Sequence, residues 1–230
     1  MRVRALAIAG LSSLLLTACG GTATDATSAS GGTSASAAET RPASDIAAEA
    51  AAALATAGSV HVQGTAASEG VDALDLRLHG DDVSGSVTMG GQTMQIVQAA
   101  GTTYVQADAA FWTANGVPAE AVSLVDGVWV LLPADAGADF SPVNLAGIAE
   151  LLRPLADPAL DQEVTTSQLN GQDVLVLTQA DGSTLHVAAT GTPYPLQVTD
   201  PEGSLTLTEF GEQQPIAAPA SFVDLAQLGA

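Results

Sequence analysis

The chain has 230 residues, of which 25 are acidic and only five are basic, and its formal net charge at pH 7 is −20. It contains no lysine, so it lacks the clustered positive charge that nucleic-acid binding requires. The same imbalance disfavours electrostatic docking onto anionic lipid headgroups. The length suits one domain with a substantial hydrophobic core.

The first 18 residues have the pattern of a secretory signal peptide. Arg2 and Arg4 form a short basic start, and residues 5–16 form an apolar run of small and aliphatic side chains. A run of about a dozen residues is shorter than the roughly 20 that a membrane-spanning helix needs. The pattern therefore indicates export and cleavage rather than a membrane span.

A lipobox-like motif follows the apolar run. It consists of an aliphatic residue, two small residues and the only cysteine of the chain: Leu16, Thr17, Ala18 and Cys19. A single cysteine cannot close an internal disulfide. The resemblance to the bacterial lipobox implies that the Cys19 sulfur receives a diacylglyceryl group and that cleavage precedes Cys19. Acyl chains such as palmitate would then anchor the protein at the extracytoplasmic face of the cell membrane. An ordinary secreted protein with an incidental cysteine is the alternative.

Residues 19–43 predict a lipidated cysteine followed by a disordered tether. The segment is dominated by Gly, Ser, Thr and Ala and has no side chains that could build a core. As a flexible coil it would span roughly 25–30 Å. We expect residues 44–230 to form a single folded domain.

The domain begins with helical periodicity and continues with strand periodicity. We expect Ser44 and Asp45 to cap a helix over residues 46–57 that ends at Gly58. Beyond Gly58, apolar and polar residues alternate in short segments separated by Gly-rich or acidic turns. This alternation predicts an antiparallel meander with one apolar face.

The middle of the chain interrupts the meander. Residues 108–116 predict a short helix or turn, and residues 128–132 predict a strand buried on both faces. Trp112 and Trp129 could fill the core or border an opening. A second helix is expected from Ser141-Pro142, with proline at its first helical position. Its apolar face follows helical spacing, and the prolines that end it are Pro154 and Pro158.

Strand periodicity resumes at residue 164 with turns at Asn170-Gly171, Asp181-Gly182 and Glu202-Gly203. Large open sheets tend to curl, and helices can cover their apolar face. The predicted fold class is therefore α+β: a strongly curved antiparallel sheet, or half-barrel, of about ten or eleven strands. Helices are expected on its concave face.

Several stretches resemble the LppX/LprAFG-type lipoproteins of mycobacteria and other actinobacteria. They are LAGIAELLRPLADPALDQEVTTSQLNGQDVLVL (145–177), GSLTLTEFGEQQPIAAPA (203–220), Tyr104-Val105, Val128-Trp129-Val130 and Pro193-Tyr194-Pro195. The resemblance covers roughly residues 44–222. It implies a half-barrel similar to LolA and LolB, with a hydrophobic cavity between sheet and helices. It also implies binding or transport of lipid or lipoglycan in the cell envelope.

Such a ligand would contact apolar side chains of the first meander and of the second helix. The strand positions are Leu74, Leu76, Leu78, Val87, Met89, Met94 and Ile96. The helix positions are Leu145, Ile148, Leu151 and Leu152. The helix fits two interpretations, a lid over a ligand pocket and an ordinary core-facing helix. Methionine suits a binding surface because its flexible side chain adapts to varied apolar shapes.

No motif for catalysis, metal binding or a cofactor was found. We interpret His61, His79 and His186 as exposed strand residues, and acidic pairs such as Asp81-Asp82 and Asp135/Asp139 as solvated turns without calcium-loop spacing. We therefore expect no enzyme, no metal and no cofactor. The alternative to a lipid carrier is an envelope lipoprotein with a filled core that binds a protein partner or acts as a scaffold.

Overall fold

The computed structural model describes residues 41–67, 70–134, 136, 144–152 and 162–228. The helices are α1 (Ala43–Ala57), α2 (Ala109–Ala114), α3 (Ala119–Val125) and α4 (Leu145–Leu152), and a 3₁₀ helix covers Leu225–Leu228. The strands of the first half are β1 (Ser59–Ala66), β2 (Val71–His79), β3 (Asp82–Met89), β4 (Gln92–Ala99), β5 (Thr102–Gln106) and β6 (Trp129–Leu131). Those of the second half are β7 (Gln162–Leu169), β8 (Gln172–Gln179), β9 (Thr184–Ala188), β10 (Pro195–Asp200), β11 (Gly203–Thr208) and β12 (Val223–Asp224).

The strands form one sheet in the order β12-β6-β5-β4-β3-β2-β1-β11-β10-β9-β8-β7. Two meanders, β1–β6 and β7–β11, are joined where β1 pairs antiparallel with β11. The β12–β6 pair is parallel. The sheet is curved and does not close, since β12 and β7 lie at opposite ends. The predicted α+β half-barrel is therefore confirmed, with one short strand, β12, that the sequence did not indicate.

Two glycines inside strands allow neighbouring backbones to approach closely. Gly64 in β1 has φ +154° and Gly85 in β3 has φ +148°. A Cβ atom would lie 1.9 Å from the Ser204 carbonyl oxygen at Gly64, and 2.0 Å from the Asp75 carbonyl oxygen at Gly85. No side chain fits at these distances, so the close approach of the neighbouring strands requires glycine at both positions.

Helix α1 is longer than the sequence predicted. It begins at Ala43 after Pro42, with no side-chain cap, so the predicted capping role of Ser44 and Asp45 was wrong. Asp45 lies instead in the first turn, where a carboxylate interacts favourably with the helix dipole. The helix ends at Gly58 in the left-handed conformation, as predicted.

The helices pack on the apolar, concave face of the sheet in two hydrophobic clusters. In the first, α1 and α4 lie against strands from both meanders, and its core includes Ile46, Leu54, Leu78, Val83, Leu152, Leu185 and Leu207. In the second, α2 and α3 lie against β4–β6, and its core consists of Met94, Val105, Ala107, Trp112, Val117, Ala121, Val125 and Val130. Val87 packs against both clusters.

The interruption of the meander follows the prediction in part. Helix α2 is confirmed, and the Asp108 side chain caps it by accepting a hydrogen bond from the Phe111 amide. Trp112 is 2% exposed and fills the second cluster, whereas Trp129 is half-buried. Helix α3 was not predicted, since seven residues are too few for a clear helical period.

A C-terminal strap, residues 211–222, runs from β11 back towards β12 over the outer face of the sheet. The Gly211 amide donates to the Ser59 carbonyl oxygen at 3.1 Å. The Ser59 hydroxyl donates to the Glu212 carbonyl oxygen at 2.8 Å. The Phe222 ring meets the Tyr104 ring edge-on, with centroids 5.1 Å apart. The strap thereby connects β1 to the far side of the sheet.

Several predictions concern residues outside the described ranges. These are the signal peptide (1–18), the lipobox with Cys19, most of the tether (19–43), the Asp135/Asp139 pair, the helix start at Ser141-Pro142 and its end at Pro154 and Pro158. They stay predictions.

Replacing Gly85 by alanine should lower the free energy of unfolding by about 3 kcal/mol, because the new Cβ collides with backbone. The control is Gly90→Ala, in a turn with φ +58° and nothing within 4 Å of the new Cβ. We expect Gly90→Ala to lower the free energy of unfolding by about 1 kcal/mol, from backbone strain alone. Urea denaturation measures both, and equal losses would contradict the close-approach argument.

Candidate ligand-binding face

Strand register arranges the concave face in three rows. The lower row runs Val164, Leu177, Leu185, Val198, Leu205, Gly64, Leu74, Val87 and Met94. The middle row runs Leu207, Val62, Leu76, Gly85, Ile96, Val105 and Val130. The upper row runs Val60, Leu78, Val83, Gln98 and Thr103.

The large side chains of the upper and middle rows are buried, whereas the centre of the lower row is less deeply buried. Leu78 in the upper row is 2% exposed and Leu76 in the middle row is 3% exposed. The side chains at the centre of the lower row are half-buried, although its flanks, Leu185 and Met94, are buried. Below it, Met89 is 42% exposed. We call the residues Val198, Leu205, Leu74, Val87 and Met89 the lower strip.

The lower strip crosses neighbouring strands from β10 through β11, β1 and β2 to β3. At a strand spacing of about 4.8 Å, it extends about 19 Å across the sheet. It is continuous with the first cluster, because Leu74, Val87, Val198 and Leu205 pack against that cluster's buried residues. The apolar side chains of the concave face are therefore less deeply buried at the centre of the lower row than in the rows above it.

The predicted pocket residues are distributed between these two parts. Five are buried in the first cluster: Leu76, Leu78, Ile96, Leu145 and Leu152. Three are half-buried at its border: Leu74, Val87 and Ile148. Met94 belongs to the second cluster, Met89 lies exposed at the lower end, and the Leu151 side chain lies outside the described residues. Val198 and Leu205 were missed, because the prediction considered the strands of the first meander only.

Helix α4 lies close to the upper end of the sheet. The Leu145 amide donates to the Gly80 carbonyl oxygen in the β2–β3 turn at 3.3 Å. Leu152 is fully buried, while Ile148 and Ala149 are half-buried at the border of the first cluster. Its apolar face therefore contributes to the core.

A charged network occupies the outer face under the strap, centred on His61. His61 is only 8% exposed, so its interpretation as an exposed residue was wrong. Its Nε2 lies 2.7 Å from Asp75 Oδ1, and its Nδ1 lies 3.5 Å from Glu209 Oε1. Arg77 pairs with Glu209, and the Gln63 amide donates to Asp75 at 2.7 Å.

These contacts lower the pKa of both carboxyl groups. The hydrogen bond from His61 is the main cause of the lowered pKa of Asp75, and Gln63 adds to it. The hydrogen bond from Arg77 lowers the pKa of Glu209. Glu209 has φ +54°, an unusual conformation for a residue with a side chain, which the pairing with Arg77 and His61 helps to hold.

The network joins strands β1 and β2 to the end of β11. A cavity of about 10 Å³, roughly the space of one water molecule, separates it from Gln214 and Ile216 of the strap. The part of the chain that the structure describes contains no group of three or more His, Cys, Asp or Glu side chains that could hold a metal ion.

The other two histidines lie apart from the network. His79 and His186 are half-buried, so the prediction of exposure held for neither. Burial lowers the pKa of His186.

A groove of about 420 Å³ lies between α1 and the loop before β10. Its walls are Glu49, Ala52, Ala53 and Thr56 on the helix, and Thr192, Pro193 and Tyr194 on the loop. The Tyr194 ring stacks on Phe210 with centroids 4.2 Å apart. The sequence did not predict this groove, although Pro193-Tyr194-Pro195 contributed to the family resemblance.

Comparison with solved structures identifies the same type of fold. LprF from Mycobacterium bovis is 14% identical and matches 78% of this chain and 97% of its own, with a TM-score of 0.50. The lipoprotein LppX from Mycobacterium tuberculosis is 15% identical over 75% of this chain and 98% of its own, with a TM-score of 0.49. A LolA superfamily protein from Nitrosomonas europaea is 12% identical over 76% of this chain and 96% of its own, with a TM-score of 0.27.

The chain therefore has an LprF-like half-barrel fold, and the resemblance to LppX/LprF-type lipoproteins is confirmed for the fold. No protein-family model and no curated protein sequence gives a significant match. None of the described helices has the length and hydropathy to cross a membrane.

Acid should destabilise the wild-type protein more than Asp75→Asn. Because folding lowers the pKa of Asp75, its contribution to stability is present above the unfolded-state pKa and is lost as pH falls through the folded-state pKa. We expect the difference in the free energy of unfolding between the wild type and Asp75→Asn to shrink as pH falls from about 5 to about 2. Urea denaturation across this range measures it. The control is Glu202→Gln, in the exposed β10–β11 turn. If the free energy of unfolding of Asp75→Asn depends on pH in the same way as that of the wild type, the network's role in stability is contradicted.

Proposed function

We propose that this protein is a lipid-anchored extracytoplasmic lipoprotein that binds or carries a hydrophobic ligand, a lipid or lipoglycan, on the concave face of its half-barrel. The observation that carries the proposal is the lower strip. Val198, Leu205, Leu74 and Val87 are only partly buried there and pack against the buried core, and Met89 is exposed. Large contiguous apolar patches on a protein surface often mark a binding site.

A hydrophobic ligand on the lower strip would gain affinity from dehydration. Each Å² of apolar surface removed from water contributes about 25 cal/mol. Val87 and Leu74 offer such surface beside buried neighbours, so a ligand chain would extend the core rather than form a separate contact. Met89 at the rim can adapt to different chain shapes.

The family resemblance supports the same function. The LppX/LprAFG-type sequence pattern implies lipid or lipoglycan binding, and the fold is the one that this pattern predicted. No catalytic motif competes with this interpretation, and we propose a non-enzymatic role.

Anchoring is proposed to occur through Cys19. The net charge of −20 opposes attraction to anionic lipid headgroups. Attachment therefore depends on covalent acyl chains, each contributing about 0.8 kcal/mol per buried CH₂. The Gly/Ser-rich tether would let the acidic domain stand away from the membrane surface.

A protein-binding role is the second candidate, and exposed apolar residues beside the second cluster favour it. Leu124 of α3 is 54% exposed and Val128, just before β6, is 40% exposed. A partner protein covering these residues would not need the lower strip, so the two functions are separable by experiment.

A form lacking residues 1–19 should release lipid on solvent extraction and bind a fluorescent fatty acid. Val87→Trp should weaken this binding at least about tenfold by occupying the lower strip. Ser86→Trp, on the outer face of the same strand, should bind like wild type. Fluorescence titration compares the three proteins. Absence of lipid and of fatty-acid binding in the wild type would contradict the carrier function and leave the protein-binding role.

Cys19→Ala should abolish incorporation of labelled palmitate in cells, because it removes the sulfur that receives the diacylglyceryl group. Metabolic labelling followed by gel electrophoresis measures the incorporation. Label that persists in Cys19→Ala would contradict anchoring at this residue.

A further inference from the structure

The groove between α1 and the loop before β10 shares no residue with the lower strip, and the proposed function does not use it. Its volume of about 420 Å³ lies in the usual range for small-molecule sites, about 300–1,000 Å³. One face of α1 forms one wall, and the loop forms the other. We call it the helix–loop groove, and its residues are Glu49, Ala52, Ala53, Thr56, Thr192, Pro193 and Tyr194.

Helix α1 separates this groove from the core. Another face of the helix, with Ile46 and Leu54, is buried in the first cluster. On the groove face, Ala52 is exposed and Ala53 is half-buried. Their methyl groups fill little space, so a ligand can approach the helix closely. Substitutions on this face can therefore test binding without disturbing the core.

The loop wall is held in place by contacts within the protein. The Ala188 amide donates to the Tyr194 carbonyl oxygen at 3.0 Å, and the Tyr194 amide donates to the Thr192 carbonyl oxygen at 2.8 Å. The Tyr194 and Phe210 rings are stacked at an angle of 4°, and Phe210 packs against the first cluster. A wall fixed in this way loses little conformational entropy when a ligand binds, which favours affinity.

Polar groups lie at both ends of the helix wall, and apolar groups lie between them. Glu49 and Thr56 are separated by about 10 Å along the helix axis. A carboxylate accepts several hydrogen bonds, so Glu49 keeps acceptor capacity although its Oε1 pairs with Arg41. The Thr56 hydroxyl donates to the Ala52 carbonyl oxygen at 2.8 Å and can still accept. The groove thus offers hydrogen-bond acceptors around an apolar and aromatic centre.

The charge of the protein favours a neutral ligand. The net charge of −20 repels anions. Glu49 is the acidic residue that lines the groove, and it already pairs with Arg41, so a cation gains little there. A sugar ring combines hydroxyl donors at its edge with C–H groups on its faces. These C–H groups can pack against the electron-rich face of an aromatic ring such as that of Tyr194.

We propose that the helix–loop groove binds a neutral glycan chain, with a sugar ring against Tyr194 and sugar hydroxyl groups that donate to Glu49 and Thr56. The site goes beyond the proposed function and is independent of it. It gives the protein a second binding surface, for carbohydrate rather than for an acyl chain.

The test is methyl NMR of the form lacking residues 1–19 during titration with neutral trisaccharides: maltotriose, cellotriose and mannotriose. Trigalacturonic acid is the anionic control ligand. We expect at least one neutral trisaccharide to shift the methyl signals of Ala52, Ala53 and Thr56 saturably, with no such response to the anion. The methyl signals of the lower strip should not respond to any of these sugars.

Tyr194→Leu removes the aromatic ring and keeps an apolar side chain, so it should weaken the binding of the responding sugar about tenfold. Ala52→Leu narrows the groove from the helix side and should also weaken this binding about tenfold. The matched control is Ala48→Leu, at an exposed position of α1 outside the groove, which should bind like wild type. If Tyr194→Leu does not fold, the comparison of Ala52→Leu with Ala48→Leu decides.

The outcomes separate this inference from the proposed function. Absence of a response to every neutral trisaccharide, or an equal response to trigalacturonic acid, overturns the glycan site. Equal sugar affinity of wild type and Ala52→Leu overturns it as well, because the sugar then binds elsewhere. Fatty-acid binding is measured on the same proteins and should be unchanged in every variant, so failure of the glycan site leaves the carrier function intact, and the reverse also holds.

Discussion

The apolar face of a curved sheet has to be covered, and in this protein the helices cover it unevenly. Helices α1 and α4 close the upper and middle rows around Leu54 and Leu152, and Trp112 anchors the second cluster. In the lower row, Leu74 and Val87 are only half-buried. The domain thus combines a closed core, which stabilises it, with a continuous apolar extension on which a hydrophobic ligand could pack.

The close approach of the strands and the contacts on the outer face of the sheet depend on different parts of the chain. Gly64 and Gly85 permit the tight approach of neighbouring strands. The outer network around His61 and the C-terminal strap then hold β1, β2 and the end of β11 together from the convex side. His61 on the outer face has partners in this network, whereas Gln98 Oε1 on the inner face and His186 Nδ1 on the outer face are buried without one.

Much of the fold was predictable because its signals are local. Alternation over 59–105 and 162–208, the Asn170-Gly171 turn and the Gly58 stop indicated the meanders and helix α1. Non-local features were not predictable. The burial of His61 depends on Glu209 and on a strap far along the chain. The unpaired oxygen of Gln98 depends on its depth in the fold, although a glutamine after Met94 and Ile96 does break the apolar alternation. The weaker burial at the centre of the lower row depends on where the helices pack, which no strand pattern reveals.

The central claim is that a hydrophobic ligand packs on the lower strip. Methyl NMR during titration with a long-chain fatty acid tests it most directly, because Leu74, Val87, Val198 and Leu205 all carry observable methyl groups. The account predicts saturable shifts concentrated on these residues, with little change at Leu124 beside the second cluster. Methyl signals that do not respond at the lower strip, or shifts confined to Leu124 and Val128, would contradict it.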